Sequence, residues 1–316
     1  MTETNARILC DSVSSAGHRL ITFECTFPRI VLAEVNTHRD KSRNSASSRA
    51  IPVEKMIKRV LEDPYVPTHW GKNQKGMQAD EDVDADAAAD ATGVWLAARD
   101  VMVEQANDLL NIGIHKQITN RLLEAFMWHT ALVTGTEWSN FENLRDNKDA
   151  HPDFRDCAHM VRELRAKSNP KLLGENDWHA PLLYDEDFEQ AILADPTHPL
   201  CVQDRLIKIS VGRCARVSYL THDGKRDHQA DVELCERLLV NGHMSPFEHV
   251  ARPMTAGELE LFKSFKFRWN GEGWAHVAGQ NGEYEYTHFL GNVQGWVQYR
   301  KLIPHEDDIL GARQCA

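Results

Sequence analysis

The chain has 316 residues, enough for a large buried core, and its 42% hydrophobic and 26% charged residues are typical of a soluble globular protein. Its formal charge of -11 argues against broad binding to nucleic acid, which needs a basic face, but it leaves room for a local basic pocket. No apolar run approaches about 18 residues and the first residues carry no basic-then-apolar leader. We therefore expect a cytoplasmic protein with no membrane-spanning helix.

The first predicted elements are two strands and two helices. Residues 7–26 predict two strands around a turn, because turn residues separate two apolar runs. Pro28 opens a segment, 29–37, that fits a short helix. Pro52 starts a clearer helix with apolar residues at helical spacing, and this helix ends before Asp63.

The middle of the chain predicts a loop followed by helices. Residues 64–80 predict the loop, and the acidic, alanine-rich run 79–90 predicts a solvated loop or a helix start. Residues 91–168 predict helices, with an apolar stripe from Phe154 to Leu164.

The last part of the chain predicts three more helices. A linker covers 169–181, and the helices are expected at 183–194, 203–220 and 228–240. The tail from 251 onward is rich in Trp and Tyr and predicts short strands and turns.

The seven cysteines are scattered, and no CxxC pair occurs. An odd count without such a pair favours neither a disulfide framework nor a cysteine zinc site. We expect most of them to be core thiols.

Residues 36–49, with the sequence NTHRDKSRNSASSR, concentrate anion-seeking donors in an acidic chain. Ser47 and Arg49 lie two apart, so on extended backbone their side chains would point the same way. A hydroxyl and a guanidinium aimed together suit a phosphate group. The residues alone leave two hypotheses open, a site for a phosphorylated ligand and a solvated basic loop.

Two helical segments carry further donors. Lys116, Asn120 and Arg121 are spaced to share one side of a helix, and Asn140 and Arg145 are spaced to lie on adjacent turns. Both segments also fit ordinary helices, the first with exposed basic residues and the second with apolar residues packed in the core.

A histidine-rich stretch, 243–249, reads HMSPFEH. Its spacing is not HExxH and Pro246 breaks a helical arrangement, so we expect hydrogen-bonded loop histidines and no metal site. GxGxxG, GxxxxGK[ST] and GxSxG do not occur in the sequence. A dinucleotide would therefore not be held by a Rossmann or P-loop turn.

Together these stretches resemble the flavin-dependent thymidylate synthases, whose signature is RHR-x-x-S-x-N-x-x-S-x-R in most members. The signature matches at His38, Arg39, Ser42, Asn44, Ser47 and Arg49. Other motifs of the family resemble Arg121, residues 140–145, residues 150–154, residues 215–218 and residues 243–249. The resemblance covers roughly 20–160 and 205–255.

The order of the motifs and the residues at three positions depart from the pattern that is common in the family. The stretches 215–218 and 243–249 follow the signature here, whereas they precede it in most members, so the chain resembles a rotated, phage-encoded type. Thr37 stands where the family has the first arginine of RHR, Ser45 where glutamate is common, and Glu34 where glutamine is common. These departures imply a different flavin affinity or nucleotide preference.

The resemblance implies an α+β fold in which helices pack on a mainly antiparallel sheet, with a permuted motif order. It also implies one domain over 1–316, with an acidic insert near 64–95 and a Trp/Tyr-rich tail after 255. The family is homotetrameric with shared active sites, so an acidic protein can hold a basic pocket. We expect no nucleic-acid or membrane partner, and a host-cytoplasmic location if the protein is phage-encoded.

The implied activity is methylation of dUMP at C5 to give dTMP, with FAD as cofactor and NADPH and methylenetetrahydrofolate as co-substrates. Two alternatives stay open. One is a related C5 modification, such as methylation or hydroxymethylation of dUMP or dCMP, and the other is an inactive nucleotide-binding homologue.

The resemblance also assigns roles to residues. Arg145 and His243 are implied to be catalytic, and Ser47 is expected to bind the nucleotide rather than attack it. The implied dUMP ligands are Glu34, Ser45, Ser47, Arg49, Arg121 and Arg145. The implied FAD ligands are Thr37, His38, Arg39, Asn140, Ser218, His243, Ser245 and Glu248.

Overall fold

The structure is a computed structural model that describes residues 2–76, 78–79, 81–194, 198–217, 226–264, 268–269, 274–275 and 291–303. Its central sheet has the strand order β3-β4-β2-β1-β5. The strands are β1 (Asn5–Ser14), β2 (Arg19–Pro28), β3 (Ser42–Ser45), β4 (Trp128–Gly135) and β5 (Lys171–Leu173). Neighbouring strands are antiparallel except β1 and β5. The predicted α+β class with a mainly antiparallel sheet is confirmed.

Strands β1 and β2 form the hairpin that the sequence predicts over 7–26. The connection passes through Gly17, whose φ of 85° lies in the left-handed region that glycine enters without strain. Strand β2 then lies in the centre of the sheet between β1 and β4, and its apolar side chains form much of the core.

One face of the sheet packs against helix α6 (Pro152–Lys167). Phe23 and Val133 of the sheet share a buried cluster with Phe154 and Val161 of the helix. The predicted stripe from Phe154 to Leu164 is thus the side of α6 that faces the sheet.

A second buried cluster joins two helices to the 3₁₀ helix Asn120–Phe126. Met56 and Leu123 are among its fully buried members. The helices are α2 (Val53–Glu62) and α3 (Ala85–Asn111). The side chain of Asp84 accepts a hydrogen bond from the backbone N–H of Ala87 and so caps α3. The acidic run 79–90 therefore contains the start of a helix, which is one of the two structures predicted for it.

The predicted helical segment 91–168 is wrong in part, because it contains strand β4. The same segment holds the short helices α4 (Lys116–Thr119) and α5 (Ser139–Arg145). Strand β4 lies between β3 and β2 and is buried along most of its length. A strand covered on both faces lacks the alternation of apolar and polar residues that identifies a strand in sequence.

Two local predictions need adjustment. The segment 29–37 is a 3₁₀ turn, Arg29–Val31, followed by the single-turn helix α1 (Leu32–Val35), so it is shorter than predicted. The predicted linker 169–181 contains strand β5, which pairs with β1.

Helices α7 (Asp185–Ala194), α8 (Pro199–Arg216) and α9 (His228–Val240) match the three helices predicted there, although α8 begins earlier. The buried guanidinium of Arg213 on α8 binds Asp187 of α7 and Asp231 of α9, so one cation joins three helices. At Gly212 an added Cβ would lie 2.2 Å from the carbonyl oxygen of Asp231, so glycine permits the close approach of α8 and α9.

From Ser245 onward the chain has short elements and one α-helix that the sequence did not predict. The elements are the 3₁₀ helix Ser245–Glu248, β6 (Ala251–Pro253), α10 (Ala256–Ser264), β7 (Arg268–Trp269), β8 (Trp274–Ala275), β9 (Trp296–Gln298) and the 3₁₀ helix Tyr299–Leu302. Helix α10 is the unpredicted one. Strands β6 and β9 pair antiparallel. Of the helices in the described ranges, none has both the length and the apolar character to cross a membrane.

Candidate active site

Residues 34–49 lie along one edge of the central sheet. Helix α1 carries Glu34, the following turns carry Thr37 and His38, and β3 forms the edge strand beside β4. The chain then turns again at 48–50. Segments that are distant in sequence contact this stretch, and three of these contacts involve the predicted motifs.

The first contact is made by Arg145, at the end of α5. Its Nε donates to His38 Nε2 (2.9 Å), and its Nη1 donates to Glu34 Oε2 (2.9 Å). Its Nη2 donates to Thr37 Oγ1 (2.9 Å) and to the backbone carbonyl of Glu34 (3.3 Å). A guanidinium has five N–H donors, so these bonds leave one of them for a ligand. We call Glu34, Thr37, His38 and Arg145 the Arg145 cluster.

His38 is the buried member of this cluster, with 5% of its surface exposed. Burial, and then the positive charges of Arg145 and Lys41, lower the pKa of His38 to about 4. Its ring is therefore neutral at pH 7. Because Nε2 accepts from Arg145, the hydrogen-bond pattern assigns the ring proton to Nδ1. The ring also packs edge-on against Phe141, with 5.0 Å between the ring centroids.

Thr37 and Glu34 are two of the positions that depart from the family pattern, and both contact Arg145. Thr37 Oγ1 donates to the carbonyl of Glu34 (2.7 Å) and accepts from Arg145, so it links the two residues. The sequence placed Thr37 on the flavin side and Glu34 on the nucleotide side. In the structure both hold the guanidinium that the resemblance assigns to the pyrimidine ring.

The second contact is made by the 3₁₀ helix Asn120–Phe126. Asn120 is fully buried, and its Nδ2 donates to the backbone carbonyls of Ser48 (2.7 Å) and Ile51 (3.0 Å). Lys116 Nζ donates to the carbonyl of Ala50 (3.0 Å). The backbone of residues 47–51 is therefore held in place; we call Ser47, Ser48 and Arg49 the Arg49 turn.

Ser47 is half-buried and Arg49 is exposed. Within the described part of the chain, neither side chain has a hydrogen-bond or ion-pair partner. The expectation that both residues lie on extended backbone is wrong, because β3 ends at Ser45 and Arg49 lies in a turn. Arg121 is exposed too, and its Nη1 is bound to Glu124 Oε1 (2.7 Å).

The third contact is made by the 3₁₀ helix Ser245–Glu248 and the tail. Ser245 Oγ lies 3.4 Å from Asn44 Oδ1, and Asn44 Nδ2 donates to the carbonyl of Cys214 on α8 (2.6 Å). Gln298 Nε2 donates to Ser42 Oγ (2.9 Å) and to the carbonyl of Glu248 (2.8 Å). Edge strand β3 is covered by these segments.

Glu248 lies in this third contact and forms an ion pair with Arg300. Burial lowers the pKa of Arg43, and the negative charges of Asp40 and Glu248 offset only part of that shift. His243, at the start of the motif, is exposed to solvent.

His249, the last residue of the same motif, belongs to the core. Its Nδ1 lies 2.7 Å from Thr134 Oγ1, which lies 2.7 Å from Thr22 Oγ1, and that hydroxyl lies 2.8 Å from His179 Nε2. Burial lowers the pKa of both histidines to about 3, so both rings are neutral. This network fixes the end of the 243–249 stretch to the centre of the sheet.

The remaining predicted residues are less closely connected. Arg39, Asn140 and Ser245 are exposed, and Ser45 is half-buried on β3. Ser218 lies outside the described residues. The structure also shows three contributors that the sequence patterns did not indicate, namely Glu124, Gln298 and Arg300. Gln298 and Arg300 meet the motifs only through folding, whereas Glu124 lies three residues after Arg121.

The donors fit anionic ligands such as a flavin diphosphate and a nucleotide phosphate. Arg39 and Arg49 are exposed guanidiniums without a partner among the described residues. Both flank β3, where Asn44 and Ser245 meet. Arginine in this state retains its full donor set for phosphate oxygens.

A cavity of about 460 Å³ lies beside the Arg49 turn. Its wall includes Ala46, Ser48 and Ile51, whereas Ser47 and Arg49 do not line it. Ala46 and Ser48 therefore contribute to the wall of the cavity, whereas Ser47 and Arg49 contribute to other surfaces.

Comparisons with known proteins find similar chains among the solved structures. A scan against models of protein families finds no match, and a search of curated proteins finds no relative. The chain is similar to two crystal structures of the UMP/dUMP methylase PolB from Streptomyces cacaoi, one bound with 5-Br UMP and one with 5-Br dUMP. The first has 15% identity and a TM-score of 0.43 over 53% of this chain and 90% of that one. The second has 16% identity and a TM-score of 0.42 over 53% and 91%. A TM-score below 0.5 does not establish a shared fold, so function is inferred below from the residues of this chain.

Proposed function

We propose that this protein is an FAD-dependent thymidylate synthase that methylates dUMP at C5, using methylenetetrahydrofolate and NADPH. The observation that carries the proposal is the convergence of separated motifs on residues 34–49. Arg145 binds Glu34, Thr37 and His38, Asn120 binds the Arg49 turn, and Ser245 contacts β3. These are the segments that resemble the family in sequence, and folding brings them together.

Arg145 is proposed to hold the pyrimidine ring. Its remaining N–H can donate to a ring carbonyl, and its charge stabilises negative charge that develops on the ring as C5 becomes the nucleophile. The Arg145 cluster fixes the guanidinium before the substrate arrives, since three side chains already bind it. Preorganised donors of this kind need little rearrangement during the reaction.

The Arg49 turn is proposed to bind the nucleotide phosphate. Arg49 and Ser47 supply donors, and Arg121 supplies a further guanidinium nearby. Among the described residues no imidazole or carboxylate lies in hydrogen-bond contact with the hydroxyl of Ser47, so it has no base to activate it as a nucleophile. Ser47 is therefore assigned to binding.

FAD is proposed to bind beside edge strand β3. The residues that would hold it are His38, Arg39, Asn140, Ser245 and Glu248, with His243 at the face open to folate. When bound, FAD supplies the hydride that completes the methyl group. We also propose a homotetramer whose subunits complete each other's sites, which would cover the exposed donors described above.

The decisive experiment incubates the protein with FAD, NADPH, methylenetetrahydrofolate and either dUMP or dCMP, and identifies the product by mass spectrometry. We expect dTMP from dUMP, and a yellow protein with a flavin absorbance band. Failure to take up FAD during reconstitution, or an unchanged nucleotide, would overturn the proposal. Tritium release from 5-labelled dUMP separates an enzyme from an inactive binding homologue, which releases none.

Glu34 favours a second candidate, action on dCMP. Its Oε2 is bound to Arg145, whereas its Oε1 has no partner among the described residues. A carboxylate accepts a hydrogen bond from the N4 amino group of cytosine, which uracil lacks. Preferential turnover of dCMP in the same assay would establish this candidate, and a hydroxymethyl product would be recognised by its mass.

A further inference from the structure

Glu124 stands at the centre of a convergence of donors that the sequence analysis did not find. Its Oε1 accepts from Arg121 Nη1 (2.7 Å), Ser48 Oγ (3.0 Å) and Arg29 Nη2 (3.1 Å). These donors come from the 3₁₀ helix, the Arg49 turn and the start of the 29–35 segment. One anionic oxygen thus receives three donors from three parts of the fold.

The two arginines differ in how firmly they are held. The side chain of Arg29 is 13% exposed, and its Nη1 also contacts His129 Nδ1 at 3.1 Å. The side chain of Arg121 is 49% exposed, and among the described residues Glu124 is its sole ion-pair partner. Arg121 can therefore leave Glu124, whereas Arg29 is fixed.

An exposed ion pair three residues apart on a helix is ordinary and contributes little to stability. This pair differs because Ser48 and Arg29 bind the same carboxylate oxygen. If Arg121 turned away, Glu124 would keep both remaining donors. Its charge would stay balanced by Arg29, so the loss of Arg121 leaves no unpaired carboxylate.

We propose that Glu124 is an internal counter-ion that competes with the substrate phosphate for Arg121 and so sets the affinity for the nucleotide. This inference rests on the proposed function, in which Arg121 is a phosphate ligand. Glu124 acts through Arg121 and is a positioning residue. In the absence of nucleotide it keeps Arg121 ordered beside Ser48. When the phosphate binds, Arg121 leaves Glu124 Oε1 and binds a phosphate oxygen.

This exchange has two consequences for binding. The phosphate gains less from Arg121 than it would from a free guanidinium, because the ion pair with Glu124 is lost. The remaining charge on Glu124 also repels the phosphate, since both are negative. A product nucleotide that carries the same phosphate is released more readily for the same reasons.

The test measures nucleotide binding to wild type, Glu124→Gln and the control Glu258→Gln by titration calorimetry, with dUMP and with deoxyuridine, which lacks the phosphate. Glutamine removes the charge and keeps an acceptor for Ser48 and Arg29. We expect Glu124→Gln to bind dUMP about fivefold more tightly, from the scale of exposed ion pairs and charge repulsion. Binding of deoxyuridine is expected to stay unchanged. Glu258 is paired with Arg252 and has no contact with Arg121 or the Arg49 turn among the described residues, so its variant controls for the loss of one negative charge.

The same variants are assayed for turnover, and we expect KM for dUMP to fall in Glu124→Gln. Relative to Arg121→Gln alone, the double variant Arg121→Gln/Glu124→Gln should keep only the part of the gain that comes from relief of direct repulsion, because there is then no guanidinium to compete for. If Glu124→Gln does not fold, Glu124→Asp takes its place. Aspartate keeps the charge that balances Arg29 but draws it away from Arg121, and a tightening of about twofold is expected.

Unchanged or weaker dUMP binding in the folded Glu124 variant overturns the inference. The proposed function still stands after such a result, provided that wild type binds dUMP and Arg121→Gln binds it more weakly. If wild type does not bind dUMP at all, both fail, and this is seen before any variant is made.

Discussion

At the Arg145 cluster the guanidinium is bound by three side chains of its own chain, whereas at the Arg49 turn the guanidinium of Arg49 extends into solvent. Both are proposed to meet one nucleotide, the first at its base and the second at its phosphate. A base presents few, directional acceptors, so its donor gains from being fixed in advance. A phosphate presents several equivalent oxygens and tolerates a mobile partner. This difference predicts that substitutions in the Arg145 cluster affect both stability and catalysis. Substitutions in the Arg49 turn should affect nucleotide binding alone.

The largest effect is expected from Arg145→Ala. It removes the donor aimed at the pyrimidine and leaves Glu34 and His38 without their shared partner. We expect kcat/KM to fall by about 10²–10³-fold, the scale of one lost transition-state donor, together with a lower melting temperature. Steady-state kinetics and thermal unfolding measure the two effects. Arg145→Lys keeps the charge but cannot reach three acceptors at once, so it should show most of the same loss. A variant within threefold of wild-type activity would contradict the assignment.

The next effect is the dependence of stability on pH. The folded protein holds His38 neutral with a pKa of about 4, whereas the unfolded chain takes up a proton near pH ~6.5. Between these values the unfolded state binds more protons, so stability is complete above pH ~6.5 and falls as the pH drops towards 4. The slope from one such histidine is at most ~1.4 kcal/mol per pH unit.

His38→Gln is the matched variant for this measurement. Glutamine keeps an acceptor for Arg145 and does not titrate, so chemical unfolding of the variant should show a shallower slope over the same range. Equal slopes for the two proteins would show that His38 is not held neutral. Arg49→Ala should leave the slope unchanged, because the Arg49 turn contains no buried titratable group.

Arg49→Ala is expected to weaken dUMP binding by ten- to a hundredfold, since a charge-assisted hydrogen bond contributes ~1.5–3 kcal/mol. Because the side chain of Arg49 has no partner within the described residues, the melting temperature should stay the same. Arg39→Ala is a fitting control, since it removes another exposed arginine that is assigned to FAD. If dUMP titrates the Arg49 variant with wild-type affinity, the phosphate is bound elsewhere.

The smallest effect is expected from Thr37→Val, which removes one acceptor of Arg145 and keeps the shape of the side chain. Thr37 is exposed, so water can replace the acceptor that Arg145 loses, and we expect a loss of only about fivefold in kcat/KM. Thr37→Ser retains the hydroxyl and should retain activity. A fall in FAD affinity with unchanged dUMP kinetics would instead return Thr37 to the flavin side.

Local patterns predicted much of the fold, and the resemblance to a family supplied most residues of the candidate site. The β1–β2 hairpin, α2 and α6 follow from turn residues and helical spacing, which are local properties. Strand β4 could not be recognised in this way, because it is buried along most of its length and so lacks the alternation of apolar and polar residues. Glu124 and Gln298 were missed for a related reason. Their partners Ser48 and Ser42 lie 76 and 256 residues away in sequence, and no spacing rule connects residues so far apart.

The motif residues could be recognised but their partners could not. The sequence pointed to Thr37 because it departs from the signature, yet its contact with Arg145 depends on where α5 ends. The extended backbone assumed for Arg49 failed because β3 has only four residues and a turn follows. Side-chain direction in a short edge strand depends on where pairing stops, and the sequence does not mark that point.

Edge strand β3 has one further consequence. On its open side it is covered by Ser245 of one segment and by Gln298 of another, which bind Asn44 and Ser42. An uncovered edge strand presents free backbone groups to other chains and promotes aggregation. Any opening that disassembles the candidate site at this edge would also expose that strand. Ligands that hold these segments closed should therefore act as protectants of the protein during storage and heating, even where no turnover is measured.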